Sequence, residues 1–372
     1  MHERSLVPVI AEDLASKMVF ISGPRQVGKT TIAKSFAAKD GIYLTWDDLE
    51  DRDIIKRHKI DPRYKSVVFD EIHKYIRWRT LVKGLFDKYG DRLKILVTGS
   101  ARLDYFRKGG DSLVGRYHAL RLHPFSLPEL DKKYRRKTTE LLLQFGGFPE
   151  PVLAQNPRQH RRWQRERIQR VIYQDVRDLT NLRELSLIEL LVDALPVRVG
   201  SVLSIKSLQE DLEVSPNTVT HWLQILDLMF YSYRVLPYGS KKIRAVKKST
   251  KLYLWDWSAV QESGPRFENM VAGHLLKYCH YLEDSEGYKM ELRFIRDTDL
   301  REIDFVVLRD KKPLFAVECK TGEKKISPHI KYFRDRTDIP LFYQVHLGKD
   351  DYQDKKIRVL PFETFCREAG IP

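Results

Sequence analysis

The eight residues GPRQVGKT, at positions 23–30, constrain the fold of this chain more than any other stretch. They fit the pattern G-x-x-x-x-G-K-[ST], follow the apolar run MVFIS and precede the helix-compatible TIAKSFAAK. The glycines of such a loop let backbone N–H groups converge on phosphate oxygens, and the next helix adds the positive end of its dipole. Strand, loop and helix in this order predict a phosphate-binding loop on a parallel α/β sheet.

Within this loop, separate residues have separate expected tasks in binding ATP and Mg²⁺. Lys29 would reach the β and γ phosphates, and the Thr30 hydroxyl would ligate Mg²⁺. The residues expected at the nucleotide are Gly23, Pro24, Arg25, Gln26, Val27, Gly28, Lys29, Thr30 and Thr31. A glycine turn with an incidental lysine is the alternative, and the flanking strand and helix argue against it.

Two acids follow a second buried run, SVVFDEI. We expect Asp70 to hold the Mg²⁺, directly or through water, and Glu71 to orient and polarise the attacking water. A strand that ends in two acids also describes a plain exit to solvent. The preceding loop, at this separation along the chain, favours the catalytic interpretation.

Further candidates for the nucleotide site are less specific. In VTGSA, a third strand end, Thr98 or Ser100 is a candidate sensor of the γ-phosphate, although a polar strand terminus explains both residues equally well. Arg116 is a candidate finger on the nucleotide of a neighbouring copy, which would imply a homo-oligomer. A surface or salt-bridged arginine is the simpler interpretation of Arg116.

A helix-turn-helix pattern lies in the middle of the chain. Residues 205–214 carry helical apolar spacing, and Ser215 and Pro216 supply an N-cap and a proline at the first helical position. The second helix leaves a polar set facing outward, namely Asn217, Thr218, Thr220, His221 and Gln224. With the strands YSYRVLPY and KLYLWD and the basic loop between them, this pattern predicts a winged helix that contacts DNA, or alternatively a protein partner. The basic residues of that loop are Lys241, Lys242, Arg244, Lys247 and Lys248.

The C-terminal third contains two apolar strands, EIDFVVL and LFAVECK, separated by the five-residue polar segment RDKKP. That length suits an antiparallel hairpin. If Leu308 pairs with Leu314, equal steps along both strands place Asp304 opposite Glu318. Side chains two residues apart share a face of a strand, so Lys320 joins them on one patch.

Opposed carboxylates repel each other unless positive charge lies between them. A divalent metal held by Asp304 and Glu318 is the expected answer, with the Cys319 carbonyl and Glu268, on the preceding helix, as further ligands. Lys320 would then position the attacking hydroxide or stabilise the charged phosphate. The alternative is an edge hairpin with solvated charges, and the apolar residues on both faces argue against an edge.

Taken together, these segments resemble a family of prokaryotic AAA+-like P-loop ATPases with a C-terminal restriction-endonuclease-like, PD-(D/E)xK, domain of uncharacterised role. The segments that carry the resemblance, in order, are PRQVGKTT, VVFDEIH, VTGSA, LVGR, LHPFSLPE, GGFPEP, the basic helix with YQDV, KLYLWD, FENMVAGHLL, EIDFVV and AVECK. His73 stands where a Gln is commoner in such proteins. The resemblance implies an α/β fold with a P-loop core at 1–128, a helical lid at 129–200, a winged helix at 201–260 and a nuclease-like domain at 261–372.

Composition agrees with an anionic partner. Lys and Arg number 66 against 51 acids, a net charge of +15, which favours DNA, although a basic solvated surface explains it as well. The sequence contains no apolar run long enough for a membrane span, and its three cysteines are odd in number and far apart, so we expect a cytoplasmic protein with no membrane partner.

Two functions fit these observations. The first is an ATP-dependent protein that acts on DNA, with a magnesium-dependent nuclease-like C-terminal domain switched by nucleotide state. The second is a nucleotide-controlled regulator whose nuclease-like fold is inactive and binds DNA or a protein. Grouped acids favour the first function, because a pure binder of anionic DNA gains nothing from them.

Overall fold

The fold is taken from a computed structural model, which divides the chain into two compact units, Met1–Pro124 and Phe125–Pro372. The residues that the structure describes are 3–37, 40–61, 63–90, 92–99, 113–134, 137–176, 185–239, 249–323 and 325–372. Within these ranges, no helix is both long and apolar enough to cross a membrane.

The first unit is built on a five-stranded parallel sheet, as the alternation of apolar runs and helical stretches predicts. Its elements are α1 (Leu6–Asp13), β1 (Met18–Ser22), α2 (Lys29–Phe36), β2 (Gly41–Thr45), α3 (Leu49–Lys56), β3 (Ser66–Asp70), α4 (Trp78–Tyr89), β4 (Lys94–Gly99) and β5 (Tyr117–Arg121). The strand order is β2-β3-β4-β1-β5. All five residues of β1 are buried, which explains the uninterrupted apolar run MVFIS.

The carboxyl ends of three neighbouring strands of this sheet meet at one edge. Asp70, at the end of β3, pairs with Thr98 of β4, and Ser22, at the end of β1, pairs with Gly99. The phosphate-binding loop leaves β1 at this edge. The sheet therefore brings sequence-distant candidate residues to one place, where open α/β sheets bind their ligands.

The second unit begins with a series of helices. They are α5 (Leu127–Tyr134), α6 (Thr138–Phe145), α7 (Pro149–Ala154), α8 (Pro157–Arg170), α9 (Leu185–Ala194), α10 (Ile205–Leu212) and α11 (Pro216–Leu228). Ser215 caps α11 by accepting a hydrogen bond from the Thr218 N–H at 3.1 Å, and Pro216 is the first helical residue, as expected from the sequence.

A mixed eight-stranded sheet forms the rest of this unit. Its elements are β6 (Ser232–Pro237), β7 (Lys251–Leu254), α12 (Ser263–Glu286), β8 (Met290–Arg296), β9 (Glu302–Arg309), β10 (Lys312–Lys320), α13 (Pro328–Arg334), β11 (Phe342–His346), β12 (Tyr352–Asp354), β13 (Ile357–Pro361) and α14 (Phe362–Glu368). The strand order is β12-β13-β11-β10-β9-β8-β6-β7. Strands β9 and β10 are therefore central, not an edge hairpin.

The turn between β9 and β10 is tighter than predicted. Only Asp310 and Lys311 separate the strands, and both have positive φ, 52° and 66°, as a two-residue type I′ turn requires. Leu308 consequently pairs with Pro313, so the predicted pairing with Leu314 is wrong. A bulge between Pro313 and Phe315 then shifts the register by one residue, which leaves Asp304 and Glu318 in neighbouring positions of the two strands.

Candidate functional site

The phosphate-binding loop needs glycine at its first position. Gly23 has φ of 152°, and a Cβ atom built on it would lie 2.3 Å from the backbone oxygen of Leu122. Gly28, with φ of 103°, ends the loop as the N-cap of α2. Both positions exclude other side chains for backbone reasons, which accounts for the two glycines of the motif.

The ammonium group of Lys29 folds back over this loop. Its Nζ donates hydrogen bonds to the carbonyl oxygens of Gly23 at 2.8 Å and Pro24 at 2.6 Å, and the side chain is buried. A neutral carbonyl is a weaker acceptor for an ammonium than a charged phosphate oxygen. The Lys29 ammonium is thus bonded at the loop to two carbonyl oxygens that a phosphate group can replace.

Asp70 is the centre of a hydroxyl network. It accepts hydrogen bonds from Thr30 Oγ1 at 2.7 Å, from the Tyr43 hydroxyl at 2.5 Å and from Thr98 Oγ1. The sequence analysis missed Tyr43, whose partner lies on a neighbouring strand. Thr98, a candidate sensor of the γ-phosphate, donates its hydroxyl hydrogen bond to the Asp70 carboxylate in this structure, and its sensor role stays a prediction.

Glu71 follows β3 with φ of 54° and ψ of 24°, a left-handed conformation that is uncommon for a residue with a side chain. Its carboxylate lies 3.6 Å from His73 Nε2 and 3.8 Å from Lys74 Nζ. Burial raises the pKa of Glu71, while the charges of Lys29, Lys74 and Arg25 oppose this rise. A strained backbone and a raised carboxyl pKa together are typical of catalytic positions.

The remaining nucleotide-site candidates have different outcomes. Val27 of the loop is buried, whereas Thr31 is exposed on the first turn of α2. Ser100 lies outside the described residues. Arg116 forms a two-pronged ion pair with Asp87 of its own chain, with Nε 2.7 Å from Oδ1 and Nη2 3.3 Å from Oδ2. That contact matches the simpler of the two interpretations of Arg116.

In the second unit, a lysine lies among the acids predicted to bind metal. The Nζ of Lys251, at the start of β7, is 3.1 Å from Glu268 Oε1, 2.5 Å from Glu302 Oε1 and 3.6 Å from Asp304 Oδ1. Burial alone would lower the pKa of Lys251, but the three carboxylates raise it above its ordinary value. We call these four residues the Lys251 cluster.

Neighbouring groups fix the Lys251 cluster in place. The Tyr253 hydroxyl donates a hydrogen bond to Glu268 Oε1 at 2.7 Å. Side chains two residues apart share a face of a strand, so Tyr253 and Lys251 lie on one face of β7. The Asn269 side chain bonds both backbone groups of Leu254, at 3.0 and 2.8 Å, which ties β7 to α12. Gly200, with φ of 77°, approaches so closely that a Cβ would lie 3.0 Å from Glu268 Oε2.

Glu318 and Lys320 lie beside this cluster on β10. Lys320 Nζ donates to Glu318 Oε1 at 2.7 Å, and the backbone N–H of Cys319 donates to Asp304 Oδ2 at 2.8 Å. Burial, and secondly the charge of Asp304, raise the pKa of Glu318 to about 8 despite Lys320. Its Oε2 is buried without a hydrogen-bond partner in the described structure, as suits a carboxyl that keeps its proton.

The metal site expected at Glu268, Asp304 and Glu318 stays a prediction. No group of three His, Cys, Asp or Glu side chains among the described residues could hold a metal ion. The positive charge between the acids is the Lys251 ammonium, and the Cys319 backbone contributes its N–H to Asp304. Lys251 begins an apolar strand in the sequence, but its proximity to Glu268 and Asp304 depends on strand pairing between distant segments.

Helix α11 presents part of the polar face expected of a DNA-reading helix. Asn217, His221 and Gln224 are exposed. Thr218 and Thr220 are half-buried, and the Thr220 hydroxyl donates to the Pro216 carbonyl at 2.8 Å. The exposed face is therefore narrower than the five-residue set predicted from the sequence.

Three family models match successive parts of the chain. Residues 15–130 match an AAA domain, residues 136–261 a domain of unknown function (DUF8612) and residues 263–365 a second domain of unknown function (DUF4143). Residues 15–130 are thus similar to an AAA domain, and this match supports ATP binding and hydrolysis as a general activity. The other two matches name no activity.

A curated relative covers most of the chain. The uncharacterized protein MJ1544 of Methanocaldococcus jannaschii is 24% identical over 358 residues, which span 86% of this chain and 78% of the relative.

Two solved structures show weaker likeness. A STAND ATPase with a tetratricopeptide repeat sensor, PH0952 from Pyrococcus horikoshii, is 11% identical with a TM-score of 0.28, over 76% of this chain and 48% of that one. PCH-2 of C. elegans is 15% identical with a TM-score of 0.24, over 60% and 65%. This chain thus spans about half of PH0952 and under two thirds of PCH-2, and neither likeness supports an argument about function.

Proposed function

We propose that this protein is an ATP-hydrolysing switch that binds DNA, with nucleotide bound at residues 23–31. The observation that carries the ATPase part is the convergence of Lys29, the Thr30–Asp70 pair and Glu71 at one edge of the parallel sheet. This arrangement supports the tasks that we propose for these groups.

Lys29 would bind the β and γ phosphates by exchanging its two carbonyl acceptors for phosphate oxygens. The backbone N–H groups of the loop and the N-terminus of α2 supply the remaining positive field. Gly23 allows the loop to pack against Leu122 at a distance that no side chain permits. Binding therefore needs only a change of acceptor at Lys29.

Thr30 and Asp70 fit a Mg²⁺ ion bound with the nucleotide, because the hydroxyl and carboxylate oxygens are already 2.7 Å apart. Mg²⁺ prefers oxygen ligands and commonly uses one or two protein side chains together with phosphates and water. When bound, it would neutralise charge on the β and γ phosphates. Tyr43 and Thr98 hold the Asp70 carboxylate in orientation for this task.

Glu71 would accept a proton from the attacking water. Burial raises the pKa of Glu71 toward neutral pH, and a general base works best when its pKa approaches the working pH. His73 and Lys74, near the carboxylate, limit its orientation. Arg116 would act in trans only if it left Asp87, so an ATPase that works without a neighbouring copy is favoured.

The DNA-binding part of the proposal concerns α10, α11, β6 and β7, which follow the order of a winged helix. Asn217, His221 and Gln224 of α11 would face the groove, and the basic segment 240–248, outside the described residues, would contact phosphates. The surplus of 66 basic over 51 acidic residues supports an anionic partner.

For the C-terminal sheet we propose a binding role without metal-dependent cleavage. Four acids (Glu268, Glu302, Asp304 and Glu318) lie near three cations, since Arg296 Nη1 is 3.2 Å from Glu302 Oε2 and joins Lys251 and Lys320. Burial raises the pKa of Glu268 to about 7 and that of Glu318 to about 8, so near neutral pH the net charge of these groups is small without a metal. A balanced cluster lacks the excess negative charge that draws a divalent ion out of water.

Cleavage of DNA is the second candidate function for this sheet. It is favoured by the order α12, β8, β9, β10, which is that of a PD-(D/E)xK core, and by the proximity of Asp304, Glu318 and Lys320. Under this alternative, Lys251 would have to withdraw from the acids before a metal entered.

The ATPase proposal is tested with Glu71→Gln, with Glu50→Gln on exposed α3 as the matched control. ATP affinity should be retained in both variants, whereas turnover of Glu71→Gln should fall about 100-fold or more, the usual contribution of a general base. Unimpaired hydrolysis in Glu71→Gln would remove Glu71 from the mechanism.

The nuclease alternative is tested with supercoiled plasmid and Mg²⁺, using the wild-type protein and Asp304→Ala. We expect no cleavage by either protein. Cleavage by the wild-type protein that Asp304→Ala abolishes would establish the alternative and overturn the binding role, while cleavage that survives the substitution would identify a contaminant.

A further inference from the structure

Helix α8 carries four exposed arginines on one side. They are Arg158, Arg161, Arg162 and Arg165. At 3.6 residues per turn and 1.5 Å per residue, this spacing places them within an arc of about 100° and along about 10 Å of helix. We call this set the arginine stripe.

The opposite face of α8 is packed into the second unit, which fixes the direction of the stripe. Trp163 is 2% exposed, the His160 Nε2 lies 3.0 Å from Ser258 Oγ, and Arg167 Nη2 donates to the Phe230 carbonyl at 3.3 Å. These contacts prevent the helix from rotating about its axis. The arginine stripe is therefore a fixed part of the surface.

The positive charge of the stripe is not neutralised locally. Within the described parts of the chain, none of its four arginines forms an ion pair or a side-chain hydrogen bond. The one acid of α8, Glu166, lies 3.6 Å from Arg170, outside the stripe. Four ordered cations without carboxylate partners create a strong local attraction for a polyanion.

We propose that the arginine stripe binds the phosphate backbone of duplex DNA, which adds a second contact surface to the proposed DNA-binding function on which this inference rests. A guanidinium group matches two oxygens of one phosphate with its planar fork of donors. A stripe of about 10 Å spans about three phosphates of one strand, which are spaced about 3.4 Å along the axis. Such contacts position a protein on DNA and carry no sequence preference.

A membrane surface fits the stripe less well. Helices that lie on membranes insert their apolar face between the lipids, beneath a basic face. On α8, that face consists of Trp163, His160 and Arg167, which are buried inside the protein. Only the charged side is presented to a partner.

The test is the salt dependence of binding to a labelled duplex of arbitrary sequence, measured by fluorescence anisotropy on the full chain. The variant replaces the four stripe arginines by glutamine. The control replaces Lys311, Lys312, Lys355 and Lys356, which are exposed at turns or, for Lys312, at the start of β10, and removes the same charge. Each phosphate contact contributes about 0.9 to the slope of log K against log salt, so the stripe variant should lose about 2 to 4 units of slope and the control almost none.

Several results would overturn the inference. If the wild-type protein does not bind duplex DNA, the proposed DNA-binding function fails together with it. If the wild-type protein binds and the stripe variant keeps its slope, or if the control loses as much, only the stripe fails. Loss of binding to phosphatidylserine vesicles in the stripe variant, with DNA binding unchanged, would assign the stripe to a membrane.

Three further variants guard against misfolding. Arg158→Gln with Arg161→Gln, and separately Arg162→Gln with Arg165→Gln, should each remove about half of the slope change. Replacement of all four arginines by lysine should keep the slope but weaken binding, because lysine cannot form the two-pronged contact. A lysine variant that loses the slope despite a native circular dichroism spectrum would contradict a phosphate-backbone role.

Discussion

Lys29 and Lys251 are both buried lysines beside carboxylates at strand ends, yet their surroundings give them opposite roles. Lys29 donates to the backbone carbonyls of Gly23 and Pro24, which are neutral groups that a phosphate can replace. Lys251 lies within 3.6 Å of three carboxylates, whose negative charge it partly offsets. A lysine that is to bind a ligand needs weak partners, whereas a lysine that holds strands together needs strong ones.

The largest effect should follow from removing the strong partner. Lys251→Met leaves Glu268 and Asp304, both half-buried, without the buried lysine that they share, and breaking a buried ion pair on one side costs about 3–5 kcal/mol. We expect the urea midpoint of the second unit to fall accordingly, as followed by tryptophan fluorescence. Lys320→Met, at a half-buried position, is the control and should cost less.

Adding Asp304→Asn to Lys251→Met should recover part of the lost stability, since it removes a charge that has lost its cation. A Lys251→Met protein as stable as the wild type would show that the cluster does not depend on this lysine. If Mn²⁺ stabilised the Lys251→Met protein but not the wild-type protein, this would indicate that lysine and metal compete for one position.

At the other lysine, substitution should affect binding and leave stability nearly unchanged. Lys29→Ala should weaken ATP binding about 100-fold, or about 2.7 kcal/mol, because hydrogen bonds between charged groups contribute about 1.5–3 kcal/mol each. Calorimetric titration measures this loss. Lys34→Ala, on the exposed side of the same helix, is the matched control, and equal loss in both variants would count against a direct phosphate contact.

The two sites also differ in how far the sequence predicts them. The phosphate-binding loop is contiguous, and its glycines and Lys29 are fixed by local backbone geometry, so the motif and the parallel sheet follow from the sequence. The Lys251 cluster joins residues from β7, α12 and β9, whose proximity depends on strand order. The sequence indicated the need for positive charge beside Asp304, but not that a distant lysine supplies it.

Smaller errors have local causes. The turn Asp310–Lys311 uses two residues at positive φ without the glycine or asparagine that marks such turns, so the loop was taken as five residues long. The bulge after Pro313 then restored the register that the sequence had predicted for Asp304 and Glu318. The hydrogen bond from Tyr43 to Asp70 does not follow from the sequence, because a tyrosine within a strand carries no motif of its own.

The pH dependence of stability gives a finer test of the cluster. Because the pKa of Glu318 is raised from 4.5 to about 8, the folded state holds a proton that the unfolded state releases between these values. The stabilisation that comes from protonated Glu318 is thus fully present below about pH 4.5 and is lost as pH rises toward 8, by about 1 kcal/mol per pH unit.

Glu318→Gln, which imitates the protonated carboxyl, should remove this loss. Urea midpoints measured at pH 6.5 and 7.5 should differ less in Glu318→Gln than in the wild-type protein. An identical pH response in the two proteins would show that Glu318 is ionised in the folded state. Glu318 and the acids of the Lys251 cluster would then carry more negative charge than Lys251, Arg296 and Lys320 balance.

The smallest effect is expected at Arg116, whose ion pair with Asp87 is partly exposed and therefore screened by solvent. Arg116→Ala should leave ATP turnover unchanged at every protein concentration, because its partner belongs to the same chain and no step in our proposal uses it. Asp87→Ala frees the same arginine and serves as the control. Turnover that rises with protein concentration in the wild type, and is lost in Arg116→Ala alone, would instead place this arginine on the nucleotide of a neighbouring copy. The phosphate-binding site would then depend on an oligomer, while the Lys251 cluster is complete within one chain.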